Sequence, residues 1–174
     1  MNYTTPATGS KDPQYMTFGN YYNTIGNVKG GTDETSYVGG KWNTQQCLSK
    51  ATNQDQNICD GVTNDPGEGY CAPACCCVGY STLGTKSGDW YLPSVGELYQ
   101  LSENLTVINE KRTALVGSGF HDHGYWSSRE YSSNSSGEYY VFLENGYNYY
   151  TSKTDGGTSV LAFLALEVDP PAEK

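Results

Sequence analysis

Positive charge is scarce in this chain of 174 residues: ten Lys and Arg stand against nineteen Asp and Glu, a formal net charge of -9. Over most of such a surface a polyanion is repelled, which argues against nucleic acid and against an anionic membrane as partners. Long apolar runs are missing too. The longest, Val160 to Leu166, is far short of the roughly 18 residues needed to cross a bilayer, so no membrane insertion is expected. The start, Met1 to Ser10, is polar and lacks the basic-then-apolar pattern of a secretory signal; export is expected by another route or with the signal already trimmed. Aliphatic residues are few, a polarity that can accompany disorder. Disordered chains are poor in aromatics, however, and this one is 13% aromatic, with 16 Tyr and 21 Gly. It reads as one folded domain with a loop-rich polar surface.

The six cysteines, Cys47, Cys59, Cys71, Cys75, Cys76 and Cys77, all lie in the first half. They read first as small buried residues packing a helix. Two alternatives stay open: a four-thiolate zinc site from Cys47, Cys59, Cys71 and Cys75, whose spacings fit no familiar module, or one or two disulfides, with Cys47 to Cys59 as a candidate pair. An apolar setting raises a thiol's pKa, so the cluster makes a poor nucleophile.

Along the chain, residues 1–39 alternate glycines with short Tyr and Thr stretches, a pattern of turns and brief extended segments, taken as part of the domain formed by residues 40–174. Trp42, Cys47, Leu48 and Ala51 at near-helical spacing predict a short helix after Gly40. Asn53 to Gly69 reads as a polar loop, its acids not spaced as a calcium loop requires. Ala72 to Tyr80 predicts a second helix. Trp90 to Ser94 reads as a short buried strand stopped by Pro93. Ser94 with Glu97 then forms a capping box that opens a helix bearing Leu98, Leu101 and Leu105 on one stripe. Farther on the period changes to two: Glu138 to Glu144, the turn signal Asn145-Gly146, and Tyr147 to Lys153 predict a hairpin. Alternation sends Tyr139, Val141 and Leu143 to the core and leaves Glu138, Tyr140, Phe142 and Glu144 exposed. Val160 to Leu166, apolar on both faces, reads as a central strand.

The blocks Gly40-Lys41-Trp42-Asn43-Thr44, Asp89-Trp90-Tyr91-Leu92-Pro93-Ser94 with Glu97-Leu98, and Tyr125-Trp126-Ser127-Ser128 with Glu130 are followed by Tyr140-Val141, Asn145-Gly146, Lys153 and Val160. In that order they resemble the family of bacterial and phage proteins similar to the C-terminal domain of the Legionella collagen-like adhesin. The likeness spans about residues 40 to 166 and departs from the family at Leu161, where relatives often carry Arg. It implies a C-type-lectin-like α+β fold: two helices packed on a small irregular antiparallel sheet with long loops. It also implies a non-enzymatic ligand-binding role, since the family includes surface adhesins and the variable targets of diversity-generating retroelements. Such elements alter adenines, and His121-Asp122-His123, Tyr131-Ser132-Ser133-Asn134, Tyr147-Asn148-Tyr149 and Thr154-Asp155-Gly156 are all reachable from adenine-rich Asn codons. The same residue types are also common in polar loops.

The expected binding face therefore comprises His121, Asp122, His123, Tyr125, Arg129, Tyr131, Asn134, Glu138, Tyr140, Phe142, Tyr147, Asn148, Tyr149 and Asp155. Tyr supplies contact area at low entropic cost, and the polar residues supply adaptable hydrogen bonds, as in antibody loops. The expected ligand is a protein or glycan on a cell surface, and the expected location is extracellular, on a bacterial surface or phage virion, with homo-oligomerisation through a carrier. No cofactor or metal is called for. A calcium-dependent lectin using Glu138, Glu144, Asn145 and Asp155 is the rival, although its usual paired carboxylate and amide motif is absent. An enzyme of the formylglycine-generating type is a further alternative whose cysteine and metal constellation does not map onto this chain. Trp90 and Trp126 read as core anchors ahead of sugar-stacking platforms.

Overall fold

Two local sequence signals interlock where the described fold begins. A computed structural model describes residues 39–50, 72–120, 123–131, 136–153 and 157–165. The expectations for residues 1–38, for the loop at 53–69 and for Leu166 lie outside the described residues. The first helix, α1 (Gly40–Lys50), begins where the glycine allows a close approach. A Cβ on Gly40 would lie 2.7 Å from Ser94 N and 2.8 Å from Leu92 O, so only hydrogen fits against that turn. One turn along, Thr44 Oγ1 accepts from Leu92 N at 3.0 Å and donates to Gly40 O at 2.8 Å. The Gly40–Thr44 block and the Leu92–Ser94 block are thus two halves of one joint.

Next come α2 (Ala72–Gly79) and the short strand β1 (Trp90–Tyr91). Pro93, which cannot donate to a ladder, follows it. At Ser94 the expected capping box is complete: Glu97 N donates to Ser94 Oγ, and Ser94 N donates to Glu97 Oε2 at 2.7 Å. It opens α3 (Val95–Glu103), which ends at Asn104, and α4 (Leu105–Val116) follows directly. The described residues therefore hold four helices, where the resemblance implied two packed on a sheet and the sequence pattern predicted three, so that α4 is the unforeseen one. The apolar residues of α4 do not share one face, and Val107 and Leu115 are exposed. Without a stripe there is no helical period to read.

Three strands, β2 (Gly124–Glu130), β3 (Gly137–Phe142) and β4 (Asn148–Ser152), form an antiparallel sheet in that order. Two clusters cover it. One face packs Trp126 against Cys47, Ala74, Cys76, Cys77, Trp90, Leu92, Val160 and Ala162. The other packs Tyr125, Tyr139 and Val141 against Val95, Leu98, Leu143 and Leu161. Being covered on both sides, β2 is buried along its whole length. Its register also slips, with Trp126 opposite Tyr140 and Glu130 opposite Glu138, so that Ser127, Ser128 and Arg129 stand against Tyr139 alone. The bulge satisfies its own backbone: Ser128 N donates to Pro93 O at 2.7 Å, and Arg129 N donates to Ser127 Oγ at 3.2 Å.

The hairpin falls where Asn145-Gly146 placed it, but the connection is longer than a two-residue turn. Phe142 N donates to Tyr147 O at 3.0 Å and Gly146 N to Phe142 O at 2.9 Å, with Gly146 left-handed at φ +70°. Leu143, buried inside this turn, explains the extra length. The expected central strand over Val160 to Leu166 is corrected. Ser159 makes a parallel bridge to Tyr125, Leu161 stands at a further isolated bridge within the buried Val160–Ala162 stretch, and β5 (Phe163–Leu164) pairs antiparallel to β1. This segment stitches the two small sheets together, which is why it is apolar throughout. The architecture is mixed α+β with small antiparallel sheets.

Candidate ligand-binding surface

The register of β3 against β4 sorts the aromatic residues into two groups. Tyr140 is opposite Tyr149, and Tyr139 is opposite Tyr150, so the two pairs point to opposite faces of the sheet. On the first face Tyr140 contacts Trp126, Phe142 and Tyr149, with ring centroids 6.2, 5.6 and 6.0 Å apart. Phe142 and Tyr149 close the group at 5.8 Å. Gly124 makes room for it: a Cβ there would lie 2.5 Å from Tyr140 Cδ2, so the ring lies over bare backbone. On the second face Tyr131 and Tyr150 stack in parallel at 3.8 Å, Tyr139 meets both edge-on, and the Arg129 guanidinium lies 5.7 Å from the Tyr139 ring centre. A hydrogen bond with Tyr131 raises the Tyr150 hydroxyl above its ordinary pKa.

Outermost stand Tyr147, Tyr149 and Tyr150, exposed by 62%, 47% and 56%. Exposed tyrosines normally carry rotamer freedom that binding must remove; here Tyr149 and Tyr150 are already held on one side by neighbouring rings, which lowers that cost. Tyr150 was missed by the sequence reading, although its place two residues beyond Asn148 on a strand carried the signal.

Of the expected binding residues, Tyr147 and Tyr149 are exposed, and His123, Tyr131, Tyr140, Phe142 and Asn148 are half-buried. Tyr125, Arg129 and Glu138 are corrected: all three are interior, with exposures of 0%, 3% and 0%. Tyr125 belongs to the core cluster behind the sheet, and Arg129 turns inward at the bulge. Glu138 sits across the ladder from Glu130, whose carboxylate accepts from Lys153 Nζ at 2.5 Å in a fully buried pair. These charges brace the root of the hairpin from inside. His121, Asp122, Asn134 and Asp155 lie outside the described residues.

The oxygens proposed for calcium are not gathered. Glu138 begins β3 beside its buried partners, whereas Glu144 and Asn145 occupy the turn at the other end, and Asn145 Oδ1 accepts from Tyr147 N. No group of three or more His, Cys, Asp or Glu side chains that could hold a metal occurs among the described residues. The cysteines follow the first reading together with part of the disulfide alternative, without the candidate pair. Cys47, Cys75 and Cys77 are buried thiols, so Cys47 is in no disulfide with Cys59. Cys76 is disulfide-bonded. Burial pushes the Cys77 thiol far above its usual range, which keeps it protonated and unreactive. Trp90 and Trp126 are core anchors, Leu161 is fully buried in the cluster behind the sheet, and no described helix is long and apolar enough to cross a membrane.

A concavity is formed by α3, α4, β1 and β5, an open groove of about 510 Å³ lined by Tyr91, Glu97, Gln100, Leu101, Asn104, Ile108 and Phe163. Tyr91 donates its hydroxyl to Glu97 Oε1 at 3.1 Å, and burial, helped by that carboxylate, raises the phenol's pKa. Since Glu97 also caps α3, its carboxylate is engaged in structure. No family model, no curated protein and no solved structure matches the chain.

Proposed function

We propose that this chain is a ligand-binding domain of the receptor-recognition or adhesin kind, built on a C-type-lectin-like scaffold, whose contact surface is the aromatic face of the β3–β4 hairpin. One observation carries the reading. Exposed Tyr149 and Tyr150 are backed by aromatic clusters on the two faces of a hairpin whose root is fixed by a buried ion pair, and exposed Tyr147 continues the Tyr149 face. Exposed aromatic area is costly for a surface with no partner and is the usual anchor of a contact. The ligand is a protein or glycan at a cell surface, and the carrier is a phage particle or a bacterial surface. Retroelement diversification belongs to the same proposal, because Tyr147, Asn148 and Tyr149 are of the types that adenine changes reach and none of them is buried.

Binding to glycan and protein arrays tests it. A Tyr147→Ala/Tyr149→Ala variant that keeps its unfolding transition is expected to lose array binding by about thirtyfold or more, two anchors at about 1 kcal/mol or more each. Unchanged binding would remove the hairpin as the contact surface. At the nucleotide level, diversification requires an imperfect repeat of the codons around Gly119 to Leu161, differing mainly at adenines and lying beside a reverse transcriptase. Finding none removes diversification and leaves the binding role.

A further inference from the structure

We infer that the partner of this hairpin face is a basic protein surface, one that presents guanidinium or ammonium groups to the exposed tyrosines. The inference rests on the face being a contact surface and adds the chemistry of what it meets. In the described part of the β2–β4 unit, residues 123–131 and 136–153, the Lys and Arg side chains are Arg129 and Lys153. Both are interior, exposed by 3% and 0%. The exposed charge of the same stretch is the carboxylate of Glu144, at the hairpin turn. Toward solvent, this unit thus offers tyrosine rings, small polar groups and one negative charge, on a chain whose net charge is -9.

A tyrosine ring has a negative face, and a cation over it gains most when the ring is held still and flanked by negative potential. Tyr149 is held by Tyr140 and Phe142, and Tyr147 continues the same face, since its carbonyl closes the ladder with Phe142. Within the chain the same chemistry already occurs: Arg129 lies over Tyr139 and Arg112 lies 4.9 Å from the Phe120 ring centre. The net negative charge attracts a basic partner over a distance and contributes nothing toward a neutral sugar, which is what favours the protein over the glycan.

The test uses the full chain and three probes: an arginine–serine repeat peptide, a glutamate–serine peptide of equal length, and a neutral oligosaccharide. Affinities are measured by calorimetry at low and high salt for the natural chain and for Tyr147→Leu/Tyr149→Leu, which keeps net charge and apolar bulk. The arginine peptide is expected to bind best, to weaken with salt, and to lose about five- to thirtyfold in affinity when the two rings are removed. Equal affinity of the natural chain and the variant for that peptide would reduce the attraction to net charge and overturn the inference. Preference for the oligosaccharide or the acidic peptide, lost in the variant, would overturn it too while leaving the hairpin as a contact surface. If no probe and no array ligand depends on these rings, both readings fall.

Discussion

Lys153 and Glu130 show what a single residue can decide in this molecule. Their side chains are 0% and 2% exposed and meet at 2.5 Å, while Glu138 stands opposite Glu130 across the ladder. Transfer of either charge from water is expensive, so each is tolerable only with its counterpart. Lys153→Met leaves Glu130 beside a second carboxylate without its cation, and a loss of about 3–5 kcal/mol is expected in urea unfolding. Lys153→Met combined with Glu130→Leu should recover much of that loss, because a buried pair replaced by apolar residues is often close to neutral. A double variant no better than the single one would mean that the interior charges act as a larger unit including Arg129 and Glu138. Reading Glu138 as exposed failed because alternation assigns a side chain to a face, and says nothing about what covers that face from elsewhere in the chain.

At the scale of elements, the chain is organised around the joint between α1 and the turn that follows β1. Thr44 is the peg. Its hydroxyl satisfies the amide of Leu92 while Gly40 lets the helix lie on the Leu92–Ser94 backbone, and from the far side Ser128 N reaches Pro93 O. Thr44→Val conserves shape but leaves the Leu92 amide buried without its acceptor, and a loss of about 1–3 kcal/mol is expected in denaturant unfolding. A cost below about 0.5 kcal/mol would show that the joint is held by packing alone. What was legible in the sequence follows from this organisation. The capping box at Ser94 and Glu97, the hairpin at Asn145-Gly146 and the anchors Trp90 and Trp126 depend on a few adjacent residues, and each is found in place. The bulge that turns Arg129 inward and the stitching role of Ser159 to Ala162 depend on distant partners. No local period encodes those.

Taken whole, the molecule divides residues by what the fold asks of them. In β2, which has cover on both sides, Tyr125, Trp126, Arg129 and Glu130 each fill or neutralise an interior position. In the hairpin arm beyond it, Tyr149 and Tyr150 rest on other rings and Tyr147 is the most exposed of the three. A scaffold suited to varied contacts needs this separation, because a position can change freely only where stability does not depend on it. Measured across all substitutions, stability is therefore expected to be nearly flat at Tyr147 and Tyr149, within about 0.5 kcal/mol for most polar replacements. It is expected to fall steeply at Tyr125 and Trp126, by about 3–5 kcal/mol on truncation to alanine. Protease-resistance selection on a saturation library reads both quantities in one experiment. Steep losses at Tyr147 and Tyr149 would make those rings structural, and the case for a replaceable contact surface would then pass to Tyr150 alone. Flat profiles there, beside binding that disappears with the same substitutions, would separate the arm that meets the ligand from the frame that holds it.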